Sequence, residues 1–290
     1  MATFDGKFIR GIAGNVIFKQ RGKKQVIQGK SKKKLIDMTR ATFDAAFIFG
    51  RASTLSSYIR SNASQIIRFN DSGMISRFTG ECNQVLQKAY PNKDHILDHS
   101  QDYFSRLNGF EFNQASPLKN YFFAQPMVTL SEQQVTIDLP ELDIPRDLKP
   151  AMNANFCIMA FDVMLFDLEN GKYKQQEIQS FEIPLKNLPL TIPAQQLVFE
   201  GSPAALCVIA LGIYYFEKTF AGTAMMNHAD LSPSALLKAA FCPGIAVVQD
   251  KWHDIDFKEK RKRKKLDKTK KVKPKTSRSD KNSSIEPTIS

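Results

Sequence analysis

The chain has 290 residues, 42% of them hydrophobic, enough to bury a sizeable core without a metal or disulfide staple. Its net charge of +12 is uneven: Met1 to Lys34 carries +9 and Lys258 to Ser290 carries +10, which leaves −7 on the stretch between. Such an asymmetry points to anionic partners and says nothing about fold, while the lack of any Cys-x-x-Cys pair gives no basis for a thiolate zinc site or a redox motif.

The opening segment, residues 1–36, is basic and punctuated by glycine. Two β-branched runs, Asn15 to Phe18 and Gln25 to Ile27, flank Arg21-Gly22-Lys23, which reads as a hairpin whose Gly22 takes positive φ. Arg21, Lys23 and Lys24 at its tip and Lys32, Lys33 and Lys34 beyond it are candidate contacts for an anionic polymer. The spacing Gly6-x-x-x-x-Gly11 is not a phosphate loop, because Ile12-Ala13 stands where the Lys-Ser/Thr pair would reach phosphate and magnesium.

Residues 37–108 read as a helical section. A first helix follows a Thr39 cap, with Phe43, Phe47, Leu55, Tyr58 and Ile59 on one stripe and Gly50 weakening its middle. A second runs from an Asp71 or Ser72 cap through Met74, Phe78, Cys82, Val85, Leu86 and Ala89 to Pro91. A third is expected over Asp94 to Leu107. It would place His95 and His99 on one face at i, i+4 with Asp98 or Asp102 nearby, a weak zinc candidate without a fourth ligand, so no metal and no cofactor are expected.

Residues 109–250 have a β texture. Met127 to Leu130 and Val135 to Leu139 flank a turn, and Phe156 to Leu168 is a nearly all-apolar run of the kind a central strand shows. Further strands are expected over Gln175 to Ile183, Leu188 to Ile192, Leu197 to Phe199, Ala205 to Phe216 and Thr219 to Met226. Prolines 140, 145, 150, 184, 189, 193 and 203 fall between these runs, where they interrupt no ladder. Short strands and turns in this order predict an antiparallel β-sandwich. Ser232-Pro233 followed by Ala235, Leu236 and Ala239 predicts a short helix with Pro at its first position.

From Lys258 apolar residues nearly vanish, and 258–290 is expected to be a disordered polycationic tail. Arg261, Lys262, Arg263, Lys264, Lys265, Lys268, Lys270 and Lys271 are its candidate phosphate contacts. With no aromatic residue in the tail to stack on bases, binding there should not depend on sequence. Neither a secretion signal nor an apolar run long enough to cross a bilayer is present, so no membrane insertion and a cytoplasmic location are expected. Buried free thiols at Cys82, Cys157, Cys207 and Cys242 fit a reducing compartment. No nucleophile elbow occurs: Glu200-Gly201-Ser202-Pro203-Ala204 lacks the second glycine, and the four histidines and scattered acids nominate no catalytic pair.

The run Gly11-Ile12-Ala13-Gly14-Asn15-Val16-Ile17-Phe18-Lys19-Gln20-Arg21-Gly22-Lys23-Lys24-Gln25-Val26-Ile27 resembles the start of an uncharacterised family of bacterial proteins. The order of segments resembles that family from Met1 to about Asp250, and the resemblance implies a bacterial source and an immunoglobulin-like second half, with no activity attached. The chain departs from the pattern in having Ser31-Lys32-Lys33-Lys34 where a proline-containing basic segment is usual, and in its basic tail.

Together these readings give an α+β chain, with a basic hairpin and small helical section followed by a sandwich and tail. The function expected first is a non-enzymatic interaction or assembly protein whose basic ends bind an anionic polymer, of the nucleic-acid class, without sequence specificity. A structural assembly protein, phage-like in origin, that docks an acidic protein surface comes second, and an unrecognised enzyme third.

Overall fold

The structure is a computed structural model that describes residues 2–30, 39–91, 95–247 and 251–257. It is mostly β, with a short helical section and several antiparallel sheets. The first sheet extends the expected hairpin to four strands in sequence order: β1 (Thr3–Phe4), β2 (Ile9–Ala13), β3 (Val16–Arg21) and β4 (Lys24–Gly29). Gly14 and Gly22 make the two tight turns at φ +59° and +61°, positions where a side chain would be strained.

Helix α1 (Arg40–Asn62) starts where Thr39 caps it, the hydroxyl accepting the Thr42 N–H, and runs uninterrupted through Gly50. Helix α2 (Met74–Ala89) buries Met74, Phe78, Cys82, Val85, Leu86 and Ala89, the stripe its spacing predicts. Its N-cap is Gly73 rather than Asp71 or Ser72. Asp71 instead accepts the Gly73 N–H at 2.9 Å and pairs with Arg77.

The expected third helix does not form. Only Phe104–Leu107 makes a 3-10 turn. His95 lies in the left-handed region at φ +57°, the Asp98 N–H bonds back to the Ala89 carbonyl, and the Asp98 carboxylate takes the Ser100 N–H and the Tyr103 hydroxyl. These local bonds satisfy the backbone in a non-helical path.

The remaining strands are β5 (Met127–Leu130), β6 (Gln134–Leu139), β7 (Leu142–Ile144), β8 (Phe156–Asp167), β9 (Lys172–Gln175), β10 (Gln179–Pro184), β11 (Leu190–Ile192), β12 (Gln195–Glu200), β13 (Leu206–Thr219), β14 (Gly222–Met225), β15 (Ser234–Phe241) and β16 (His253–Asp254). A seven-stranded sheet is built on the β8–β13 pair, and β12-β6-β5 form a three-stranded sheet.

Period-2 alternation sends the two faces of β8 and β13 into different cores. Ala160, Met164, Phe166, Leu206, Val208 and Ala210 pack with the buried stripes of α1 and α2. Cys157, Met159, Phe161, Val163, Leu165, Cys207, Ile209, Leu211, Ile213 and Tyr215 pack with Val135, Ile137 and Leu139 of the three-stranded sheet. With both faces covered, β8 reads in sequence as one apolar run.

The helix expected after Ser232-Pro233 is strand β15, paired to β13. A β-bulge at Ile209/Ala210 sets Lys238 opposite Ile209 and Leu236 opposite Ala210, so that Leu236 and Ala239 face the helical core three residues apart. That spacing imitates a helix while the backbone is extended.

Candidate functional site

Arg21 and Lys24 sit opposite each other at the β3–β4 turn, and Lys23 lies within it. Lys19 pairs with Val26 two residues earlier, so Lys19, Arg21, Lys24 and Val26 share a face, joined by Ile17 opposite Gln28 and Ile12. Lys19 Nζ donates to Gln28 Oε1 at 3.2 Å. Lys19 through Gly29 is exposed throughout, and among the described residues Lys19, Arg21, Lys23 and Lys24 form no ion pair.

Asp5, the acid of this segment, is engaged locally. Its carboxylate accepts the Phe8 N–H at 2.8 Å and meets Arg10 at 3.2 Å, and the Phe8 bond is the largest cause holding its pKa below the ordinary value. The opposite face of the sheet is apolar, with Phe4 at 68% and Ile27 at 65% exposure beside Ile9 and Phe18. Of the cations expected to contact an anionic polymer, the structure therefore places Arg21, Lys23 and Lys24 together and adds Lys19. Lys32, Lys33 and Lys34, and Arg261, Lys262, Arg263, Lys264, Lys265, Lys268, Lys270 and Lys271, lie outside the described residues.

His95 and His99 do not share a face. The His95 ring packs against Phe47 at 3.9 Å between centroids with Nε2 3.4 Å from an Asp44 oxygen, whereas His99 Nε2 lies 3.0 Å from Glu169 and its ring meets Phe241 edge-on. Among the described residues no three His, Cys, Asp or Glu side chains come together to hold a metal.

Two concavities accompany the sheets. One, of about 520 Å³, is lined by His99, Glu169, Ala204, Phe241, Cys242 and Gly244 at the end of β15. The other, of about 340 Å³, contains Glu111, Lys119 and Lys238, two of which serve the fold: Glu111 accepts the Leu118 and Lys119 backbone N–H groups and Lys238 Nζ donates to the Val128 carbonyl. Burial is the largest influence on Glu111 and raises its pKa.

Cys82 and Cys157 are inert by position, since burial pushes each thiol up to about 12. Cys207 and Cys242 are different, because the strand register makes them diagonal neighbours on β13 and at the end of β15. Sequence reasoning missed this pair, since reading 232–239 as a helix hid the strand register that joins residues 35 positions apart. The chain matches no known family model, no curated protein and no solved structure. The functional reading therefore rests on the residues themselves.

Proposed function

We propose that this is a non-enzymatic interaction or assembly protein whose basic ends hold an anionic polymer of the nucleic-acid class without reading its sequence. The observation that carries this is the exposed cluster Lys19, Arg21, Lys23 and Lys24 on the N-terminal sheet, which forms no ion pair among the described residues, beside a body of net negative charge. Each cation that neutralises a phosphate releases a counterion, so affinity follows charge number and salt rather than base sequence. The lysines and arginines of 258–290 add a second site of the same chemistry. In this reading the three-stranded sheet over the β8–β13 sheet forms a β-sandwich that carries a protein partner. Its support is the core that the two sheets share.

The exposed apolar side chains Phe4, Ile9 and Ile27 favour a second reading, in which the N-terminal sheet docks on an acidic protein surface. The two readings separate on a heparin column and a duplex-binding assay run side by side. Replacing Lys19, Arg21, Lys23 and Lys24 with Gln should lower the salt needed for elution and weaken duplex binding together. Unchanged duplex binding by that variant would count against the sheet as the nucleic-acid contact and in favour of the protein surface.

A further inference from the structure

All four cysteines are free and buried, but two of them are neighbours. β13 and β15 pair antiparallel with Leu206 opposite Phe241 and Cys207 opposite Ala240, and one step further the Cys242 N–H donates to the Ala205 carbonyl at 2.8 Å. Cys207 and Cys242 are thus diagonal neighbours on one face of adjacent strands, both in the core beneath the three-stranded sheet. Each of the two thiols perturbs the proton affinity of the other, in opposite directions.

The two residues differ in position rather than in exposure, which is 3% for Cys242 and 1% for Cys207. Cys242 lines the pocket of about 520 Å³ beside Phe241, with His99 and Glu169 at its wall, whereas Cys207 is not among the lining residues. A small molecule entering the pocket therefore meets Cys242 first, with Cys207 next to it in the sheet.

We propose that Cys207 and Cys242 form a redox-active dithiol reached through this pocket, with Cys242 as the attacking sulfur, Cys207 as the resolving sulfur and a small diffusible organic disulfide as the oxidant. The Cys242 thiolate attacks one sulfur of the small disulfide. A Cys242–sulfur bond forms, the oxidant's S–S bond breaks, and one small thiolate leaves and is protonated. Cys207 then loses its proton and attacks the Cys242 sulfur, displacing the second small thiolate, which takes up that proton. Two protein thiols become one disulfide while the small disulfide becomes two small thiols.

The proton arrangement agrees with this order. The Cys207 thiol, assisted by the Ser202 backbone N–H, lowers the Cys242 pKa against the opposing effect of burial, and the Cys242 thiol followed by burial raises that of Cys207. The bond formed would tie β13 to the segment through which the chain leaves the sheet after β15.

The test exposes the folded full-length protein to hydroxyethyl disulfide in mildly alkaline buffer and reads intact mass and peptide maps. The expected product has lost two hydrogen atoms, carries a Cys207–Cys242 bond and keeps Cys82 and Cys157 as free thiols. The Cys207→Ala variant should stop at the mixed disulfide on Cys242, and Cys242→Ala should leave Cys207 unmodified. If either variant does not fold, the wild-type map decides alone. The proposal is overturned if the folded wild type keeps both thiols under conditions that oxidise free dithiothreitol completely, or if Cys82 and Cys157 are modified as fast as Cys242.

Discussion

At the scale of single residues, the most consequential feature outside the candidate site is Asp162, a fully buried carboxylate on the helix-facing side of β8. Gln175 Nε2 donates to one of its oxygens at 3.1 Å and to the Asn62 carbonyl at 2.8 Å, while the other Asp162 oxygen has no hydrogen-bond partner among the described residues. Burial raises its pKa from the ordinary 3.8 to about 7. Between those values the folded chain holds a proton that the unfolded chain has released. Asp162 therefore lowers stability progressively as pH rises from about 4 to about 7, with the full penalty present above that. Asp162→Asn keeps an acceptor for Gln175 and removes the ionisation. Its melting temperature should exceed that of the wild type above neutrality, by an amount worth at most about 4 kcal/mol, and the gain should vanish toward pH of about 4. A melting series across pH checks this, and a difference independent of pH would show that ionisation is not the cause.

At the scale of elements, the helical section is seated on the sheet through a small patch of β13. The Tyr214 hydroxyl donates to the Ile66 carbonyl at 2.9 Å and also reaches the Gln65 carbonyl. Two residues before it on the same face, a Cβ on Gly212 would stand 2.7 Å from Ile66 Cγ2 and 3.1 Å from the Ile66 carbonyl oxygen. Gly212→Ala should force that turn off the sheet and destabilise the fold by roughly 1–3 kcal/mol. Chemical denaturation should show a lower midpoint, and an unchanged midpoint would mean that the turn moves freely. This seat was invisible in sequence, since a glycine inside an apolar run gives no sign of what approaches it. α2 was legible because its buried stripe follows helical spacing and Pro91 closes it, and α1 because Thr39 caps it. β15 was misread for a definite reason, the bulge that spaces Leu236 and Ala239 like helix neighbours. The segment His95 to Ser100 was misread because side-chain bonds from Asp98 replace the helical ladder. The site followed the same division. The cations of the β3–β4 turn were legible from charge and Gly22, whereas the Cys207–Cys242 pair depends on the register of the strand that was misread.

At the scale of the whole molecule, the charge is concentrated at the ends of the chain, +9 over Met1 to Lys34 and +10 over Lys258 to Ser290. Among the described residues no helix is long and apolar enough to cross a membrane. Two basic segments flanking a mildly acidic body would concentrate attraction for polyanions at the ends and leave the body free for another partner. The measurement that bears most directly on this account is a titration of duplex DNA at several salt concentrations with three proteins: the full chain, a chain ending at Phe257, and the variant with Lys19, Arg21, Lys23 and Lys24 changed to Gln. With about five cations engaged, the full chain should show a log-log salt slope of about −4 to −5, unaltered by scrambling the DNA sequence. Removing 258–290 should take away most of that slope and neutralising the sheet a smaller share. A slope near zero for the full chain, or an affinity that neither change reduces, would contradict the account.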